Sequence, residues 1–399
     1  MKLVNTAHKN DVLRSMINIL DQERETIIAA NKKDLDQFDE EDRAMYDRLI
    51  VDDKKMDGMI RSIKEVLQQQ DPVQRIKSER VLENGLKIQN RSAPFGTIMI
   101  IYESRPDVTI EAAVLAFKAN NRILLKGGKE AVNSNKALEA CWHRALTENG
   151  LDTNWIQLLH MNREETQAFL KDPSEKLDLI VPRGGERLIS FVKEHAQCAV
   201  LISGRGNNFL YVAKDADWQQ ALTVILNAKT QKISACNALD KILVDKNLEG
   251  FEDKLRELSQ ILTDHGVSVL ISPALAKTLP DREVIKDEAI WHEEFLAMKC
   301  CLGTADDLSM AIKKINTYSG GHSATIMTRD TESAFTFMDE VDSAAVYHNA
   351  STRFTDGGAM GVGAELAIST DKLHHRGPLG LEQLVTNKYY VFGDGHIRE

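Results

Sequence analysis

The chain has 399 residues, and its 50 Lys+Arg against 60 Asp+Glu give a formal net charge of −10 at pH 7. At roughly 150 residues per domain that length holds two or three domains, and the acidic balance excludes a general nucleic-acid or membrane-surface binder, which needs a basic face. No apolar run reaches the ~20 residues of a membrane span; the N-terminus MKLVNTAHKNDVLRSM lacks a signal-peptide core, and five irregularly spaced cysteines without C-x-x-C fit a reduced, cytoplasmic setting.

The first ninety residues read as helices, with Val12, Leu13, Met16, Ile17 and Leu20, then Ile60, Ile63, Val66 and Leu67, at helical spacing. From 97 onward short apolar runs alternate with helical segments. Strands are predicted at 97–101, 122–125, 156–159, 179–181, 199–202 and 209–212. Helices are predicted at 108–118, 131–146, 164–170, 186–195 and 216–228. Such alternation implies a parallel sheet covered by helices, with right-handed crossovers and a ligand site at the carboxyl ends of the strands. A second alternation follows: strands at 241–244, 267–271, 296–301, 323–327 and 344–347, with helices at 249–262, 305–316 and 332–339. The boundary between the two units is placed in the polar stretch KTQKISAC, at 229–236. The last fifty residues are glycine-rich and less periodic. A final strand at 384–392 returns to the first unit or crosses to another subunit.

Two segments repeat the arrangement strand, glycine turn, helix. In KGGKE, 126–130, backbone amides at a helix start attract anions and glycines admit a phosphate, with Lys126 and Lys129 beside them. PRGGE, 182–186, is the other; a plain tight connection is its alternative. Neither is a P-loop or a full G-x-G-x-x-G. Cys236 lies at the unit boundary among Thr230, Gln231, Lys232, Ser234 and Asn237. Such polar surroundings suit a reactive thiolate, whereas Cys141 in a helix, and Cys198, Cys300 and Cys301 in apolar strands, read as packing. The histidines show no metal-ligand spacing, so no metal is expected.

The segments APFGTIMIIYESRPDVT (93–109), LLKGGKEAVNSN (124–135), LIVPRGGERLISFV (179–192), KTQKISACNA (229–238), SAAVYHNASTRFTDGGAMGVGAELAIST (343–370) and LHHRGPLGLEQLVTNKYYVFGDGHIR (373–398) carry a resemblance. From about residue 5 to the C-terminus the chain resembles the gamma-glutamyl phosphate reductase family of the aldehyde dehydrogenase superfamily. The resemblance implies an α/β fold: an NADPH-binding domain with N-terminal helices at 1–230, a catalytic domain at 231–350, and a segment at 351–399 that returns to the cofactor domain and forms an oligomer interface. It implies NADPH-dependent reduction of L-glutamate 5-phosphate to glutamate 5-semialdehyde and phosphate, on the route to proline, through a thioester on Cys236.

The implied roles fall on particular residues. Arg105, within SRPD, and the Cys236 amide are candidate donors to the oxyanion or to the departing phosphate, with Asn237 beside the cysteine. Lys126, Gly127, Gly128, Lys129, Pro182, Arg183, Gly184, Gly185 and Glu294 are placed on the cofactor. A cation at 129, where NAD-preferring members carry an acid, favours a 2′-phosphate. Ser104, Asn349, Ser351 and Arg353 are placed on the substrate, Arg353 facing the carboxylate. Hydrolytic aldehyde dehydrogenases carry a general-base Glu where this chain reads LISGRG, 201–206; its absence suits an enzyme that must not hydrolyse its thioester. The family has a Pro or Gly shortly before the cysteine, replaced here by KISA, 232–235. A homo-oligomer, and a transient contact with a glutamate kinase given the lability of the acyl phosphate, are further expectations. A related NAD(P)-dependent semialdehyde dehydrogenase and an inactive nucleotide-binding protein are the alternatives.

Overall fold

Apolar residues at helical spacing fold the N-terminal part into α1 (Thr6–Gln22), α2 (Arg24–Leu35), α3 (Arg43–Leu49) and α4 (Asp53–Gln68) in a computed structural model that describes residues 3–38 and 43–398. Side chains of Asn5 and Asp52 cap α1 and α4 by accepting from the His8 and Lys55 amides. Their inward faces are Val12, Leu13, Met16 and Leu20 on α1, and Met56, Ile63 and Val66 on α4.

The helical reading fails at 76–94, where the chain forms β1 (Ile76–Val81) and β2 (Lys87–Pro94), paired antiparallel. Every residue of β1 is exposed, so no apolar alternation marks it. The usable signal was Asn84-Gly85, a turn pair with Gly85 at φ 87°.

The first alternation is as expected: β3 (Thr97–Tyr102), α5 (Val108–Lys118), β4 (Arg122–Lys126), α6 (Val132–Glu148), β5 (Ile156–Leu158), α7 (Arg163–Lys171), β6 (Leu179–Arg183), α8 (Glu186–His195) and β7 (Ala199–Val200). These strands form a parallel sheet in the order β5-β4-β3-β6-β7. Helix α5 is buried almost all round, and the Phe117 ring meets Trp155 edge-on at 5.5 Å.

The strand at 209–212 does not join that sheet. It is β8 (Asn208–Val212), and it opens a second parallel sheet with α9 (Trp218–Thr230), β9 (Leu239–Asp245), α10 (Phe251–Asp264), β10 (Ser268–Ile271), β11 (Glu283–Val284), β12 (Lys299–Ala305), α11 (Leu308–Tyr318), β13 (Ser323–Met327), α12 (Thr331–Glu340) and β14 (Ala345–His348). The order is β11-β10-β12-β9-β8-β13-β14, so β8 lies between β9 and β13. The first compact unit therefore ends at Ile202, before the boundary read near residue 230. An apolar run reveals a buried strand but not which sheet receives it.

The C-terminal part supplies β15 (Glu365–Ser369), β16 (Gly377–Gly380) and β17 (Val385–Phe392). Residues 361–367 and 379–399 belong to the first unit, and 368–378 to the second. β17 pairs antiparallel with β2 over its whole length. Leu379, Leu381 and Leu384 are buried in the core of the first unit, where Asn121 Nδ2 donates to the Leu384 carbonyl at 2.8 Å.

Candidate active site

In the first unit, chemistry-bearing residues gather at the carboxyl ends of β3, β4 and β6. After β3, Ser104 is buried with φ 45°. Its amide and hydroxyl both donate to Glu130 Oε1, at 2.6 and 2.9 Å. Glu130 thus ties the Ser104 turn to the KGGK turn after β4. It also explains Gly128, where a Cβ would run into the Glu130 carboxylate; one at Gly127 would run into Asn135 Nδ2 and lie 3.2 Å from the Tyr102 ring.

Arg105 pairs with Asp107 at 3.4 Å, and Lys55 of α4 pairs with the same carboxylate at 2.9 Å. Burial alone would raise the Asp107 carboxyl, but the Arg105 and Lys55 charges hold it below its usual value. Glu111, one helical turn on, is pushed up to about 6 by burial and by Asp107. In β6 Pro182 is buried, and after the strand the Gly185 amide donates to Glu103 Oε2 at 3.3 Å.

At the N-terminus of α6 two of the backbone amides already have a partner within the protein. The Asn133 and Ser134 amides donate to the buried Asp34 carboxylate at 3.0 and 2.8 Å. A ligand anion at this place must therefore be met by the KGGK turn and by side chains. A cleft of about 390 Å³ beside this turn is lined by Lys126, Lys129 and Lys136, with Asn135, His160 and Asn162. The Lys126 ammonium donates to the Gly127 carbonyl at 2.7 Å, and burial pushes its pKa down while Glu130 opposes. Three lysines around a cleft entered by a side-chain-free turn fit a phosphorylated dinucleotide.

In the second unit Cys236 stands in the turn between α9 and β9, half-buried. Asn208 Nδ2 donates to the Cys236 carbonyl at 2.8 Å. The glycine-rich stretch 203–206 passes directly against this turn, for a Cβ on Gly206 would lie 2.6 Å from the Cys236 Cα. That stretch contains no carboxylate.

The loop after β14 closes on the same turn. Asn237 Nδ2 donates to the Arg353 and Thr355 carbonyls at 3.2 and 2.9 Å, and Thr352 Oγ1 donates to the Asn237 carbonyl at 2.7 Å. Arg353 Nε donates to Gln231 at 2.9 Å, while its buried Nη1 has no hydrogen-bond partner among the described residues. Burial pushes the Arg353 pKa down, and the neighbouring Cys236 charge pushes it back up. Behind this loop runs a hydrogen-bonded chain: His322 Nδ1 to Ser323 at 2.7 Å, Ser323 to Thr355 at 2.7 Å, and Tyr347 to Thr355 at 2.8 Å.

The structure thus brings Cys236, Asn237 and Arg353 together, and commits the side chains of two residues predicted beside them to backbone groups of the protein. Asn349 gives its side chain to Thr328, accepting from the amide at 3.0 Å and donating to the carbonyl at 2.8 Å. Ser351 is buried and caps the short helix that carries Arg353. Glu294 lies half-buried in the irregular segment before β12. Cys198 is half-buried just before β7, not inside an apolar strand. Glu130, Asp34, Lys136 and Asn208 were not predicted; Glu130, Asp34 and Asn208 meet polar partners far away in sequence.

Among the described residues no His, Cys, Asp or Glu cluster could hold a metal ion, and no helix is long and apolar enough to cross a membrane. A model of the aldehyde dehydrogenase family matches residues 1–266 and 278–365. The chain is 41% identical over 400 residues to a gamma-glutamyl phosphate reductase of Nitratiruptor, covering 99% of this chain and 96% of that one. It is 38% identical over 406 residues to the one from Dictyoglomus thermophilum, covering 100% and 96%. The chain belongs to the aldehyde dehydrogenase family. Its place there is among the gamma-glutamyl phosphate reductases. The crystal structure of such a reductase from Thermotoga maritima superposes with a TM-score of 0.93 at 39% identity, covering 99% of this chain and 95% of that one. The fold is therefore the aldehyde dehydrogenase fold, the protein is an oxidoreductase acting on a small molecule, and membership implies a nicotinamide cofactor.

Proposed function

We propose that the protein reduces L-glutamate 5-phosphate to L-glutamate 5-semialdehyde and phosphate with NADPH, the second step from glutamate to proline, through a thioester on Cys236. The observation that carries this reading is Cys236 itself, a half-buried thiol in the turn that Asn237 ties to the Arg353 loop. The other four thiols are raised by burial.

The Cys236 thiolate attacks the acyl carbon. The carbon–sulfur bond forms, the carbon–oxygen bond to phosphate breaks, and phosphate leaves with the electron pair. Arg353, with Nη1 uncommitted, offers its cation to the substrate carboxylate, and Ser104 contributes to the substrate side. Arg105 and the Cys236 amide are donors to the tetrahedral oxyanion or the departing phosphate. Asn237 spends its amide on the 353–355 backbone and so holds Arg353 to the Cys236 turn. Asn349 and Ser351 shape the same loop.

When bound, the cofactor supplies the hydride. Lys126, Gly127, Gly128 and Lys129, with Pro182, Arg183, Gly184, Gly185 and Glu294, would hold it, the lysines meeting a 2′-phosphate. The tetrahedral oxyanion then re-forms its carbonyl, the carbon–sulfur bond breaks, and the Cys236 thiolate leaves with the electron pair to deliver the aldehyde. No carboxylate in 203–206 activates water against the thioester.

The test runs the reaction backwards. Supplied with pyrroline-5-carboxylate and NADP⁺, the enzyme forms NADPH only when phosphate is added, and Cys236→Ser abolishes it. Cofactor reduction independent of phosphate would overturn the reading. The same assay with NAD⁺ reads cofactor choice; Lys129→Glu narrows the preference for NADP⁺ at least tenfold. The labile substrate supports a cytoplasmic setting and a transient contact with the kinase that makes it. A hydrolysing trap that intercepts all the acyl phosphate would exclude direct transfer.

A further inference from the structure

Glu294 sits in a stretch, 293–298, that is neither helix nor strand. Leu296 within it adopts φ 48°, a left-handed conformation that costs roughly 1–2 kcal/mol for a residue with a side chain. Such a stretch makes no ladder of hydrogen bonds and must be fixed by other means.

Three buried charged side chains supply them. Lys229, in the last turn of α9, is fully buried and meets Asp240 of β9 at 2.9 Å. The other oxygen of Asp240 accepts from the Phe295 amide at 2.8 Å. Lys241, also fully buried, donates to the Glu293 carbonyl at 2.8 Å and lies 3.6 Å from the centre of the Phe295 ring. The residues on both sides of Glu294 are thus held by adjacent residues of one strand. Lys229 and Asp240 also bracket the turn that carries Cys236.

Burying these charges is a poor route to stability, because an apolar pair of similar volume is often as stable or more so. Their service is geometric. We propose that Lys229, Asp240 and Lys241 are positioning residues, a buried charged clamp that aims Glu294 and joins its segment to both ends of the Cys236 turn. The proposal rests on the reading of Glu294 as a cofactor ligand.

Two measurements on the full chain test it. The first is hydrogen exchange in Lys229→Met with Asp240→Val, which replaces the pair by apolar groups, and in Asp240→Asn, which keeps the volume and an acceptor. In the double replacement, peptides spanning 293–298 exchange at least tenfold faster while those of β12 stay protected. Asp240→Asn gives a smaller change of the same sign and carries the test alone if the double variant does not fold. Unchanged exchange at 293–298 overturns the clamp.

The second is the KM for NADPH. It rises about tenfold in the double replacement, and no further when Glu294→Gln is added, since both act through one carboxylate. Additive effects overturn the proposal. A Glu294→Gln enzyme with unchanged KM removes the ligand reading of Glu294 instead, and the exchange result still decides whether the clamp exists.

Discussion

Cys236 differs from the other four cysteines in what surrounds it. Burial pushes Cys300 and Cys141 up to about 12 and Cys301 to about 11, so at neutral pH they stay thiols and serve as packing. The distinction was legible in sequence, because polar neighbours flank Cys236 and apolar ones flank Cys300 and Cys301. Its supports were not legible. Asn208 and Gly206 precede it by about thirty residues, and nothing local marks Gly206 as the place where two backbones touch. Gly206→Ala must push the Cys236 turn aside. We expect kcat to fall at least tenfold while the rate of alkylation at Cys236 shifts with it; an enzyme of normal kcat would show that the turn has room.

At the scale of elements, periodicity found the helices and the buried strands, since those carry a repeating apolar signal. It missed β1, whose residues are all exposed, and assigned β8 to the wrong sheet, because pairing is a tertiary choice. The capping of α6 was hidden for a related reason: Asp34, about a hundred residues earlier, takes its Asn133 and Ser134 amides. The chain behind the 353–355 loop makes a pH prediction. In an unfolded chain the His322 imidazole titrates near 6.5; burial here pushes it down to about 4. Between those values the unfolded state binds a proton that the native state refuses. His322 therefore draws stability down as pH falls from 6.5 to 4, by up to about 3 kcal/mol. Urea midpoints of His322→Gln should fall less steeply over that window than those of the parent. Parallel slopes would show that the native imidazole titrates normally.

For the whole molecule, the net charge of −10 describes the average and not the site. Lys126, Lys129 and Lys136 line one cleft, and Arg105 and Arg183 stand at neighbouring strand ends. The antiparallel ribbon β1-β2-β17 leaves Ile76, Val81, Tyr389, Val391 and Phe392 exposed. Monomeric proteins seldom present such apolar groups together, which supports the proposed homo-oligomer. Sedimentation should give a mass that is a multiple of 44.7 kDa, and Val391→Asp with Phe392→Asp should return it to one. A parent that sediments as a single chain at micromolar concentration excludes the oligomer.

The route of the chain through its two units bears on how the molecule is made. Domains ordinarily complete themselves in the order in which the ribosome delivers them. Here the unit that begins first also needs Leu379, Leu381, Leu384 and β17 from the far end of the chain. Most of the second unit is synthesised before those residues emerge, so the unit that is begun first is sealed last. Until then its core lacks Leu379, Leu381, Leu384 and Val385, and the cell must shield that opening during every round of translation.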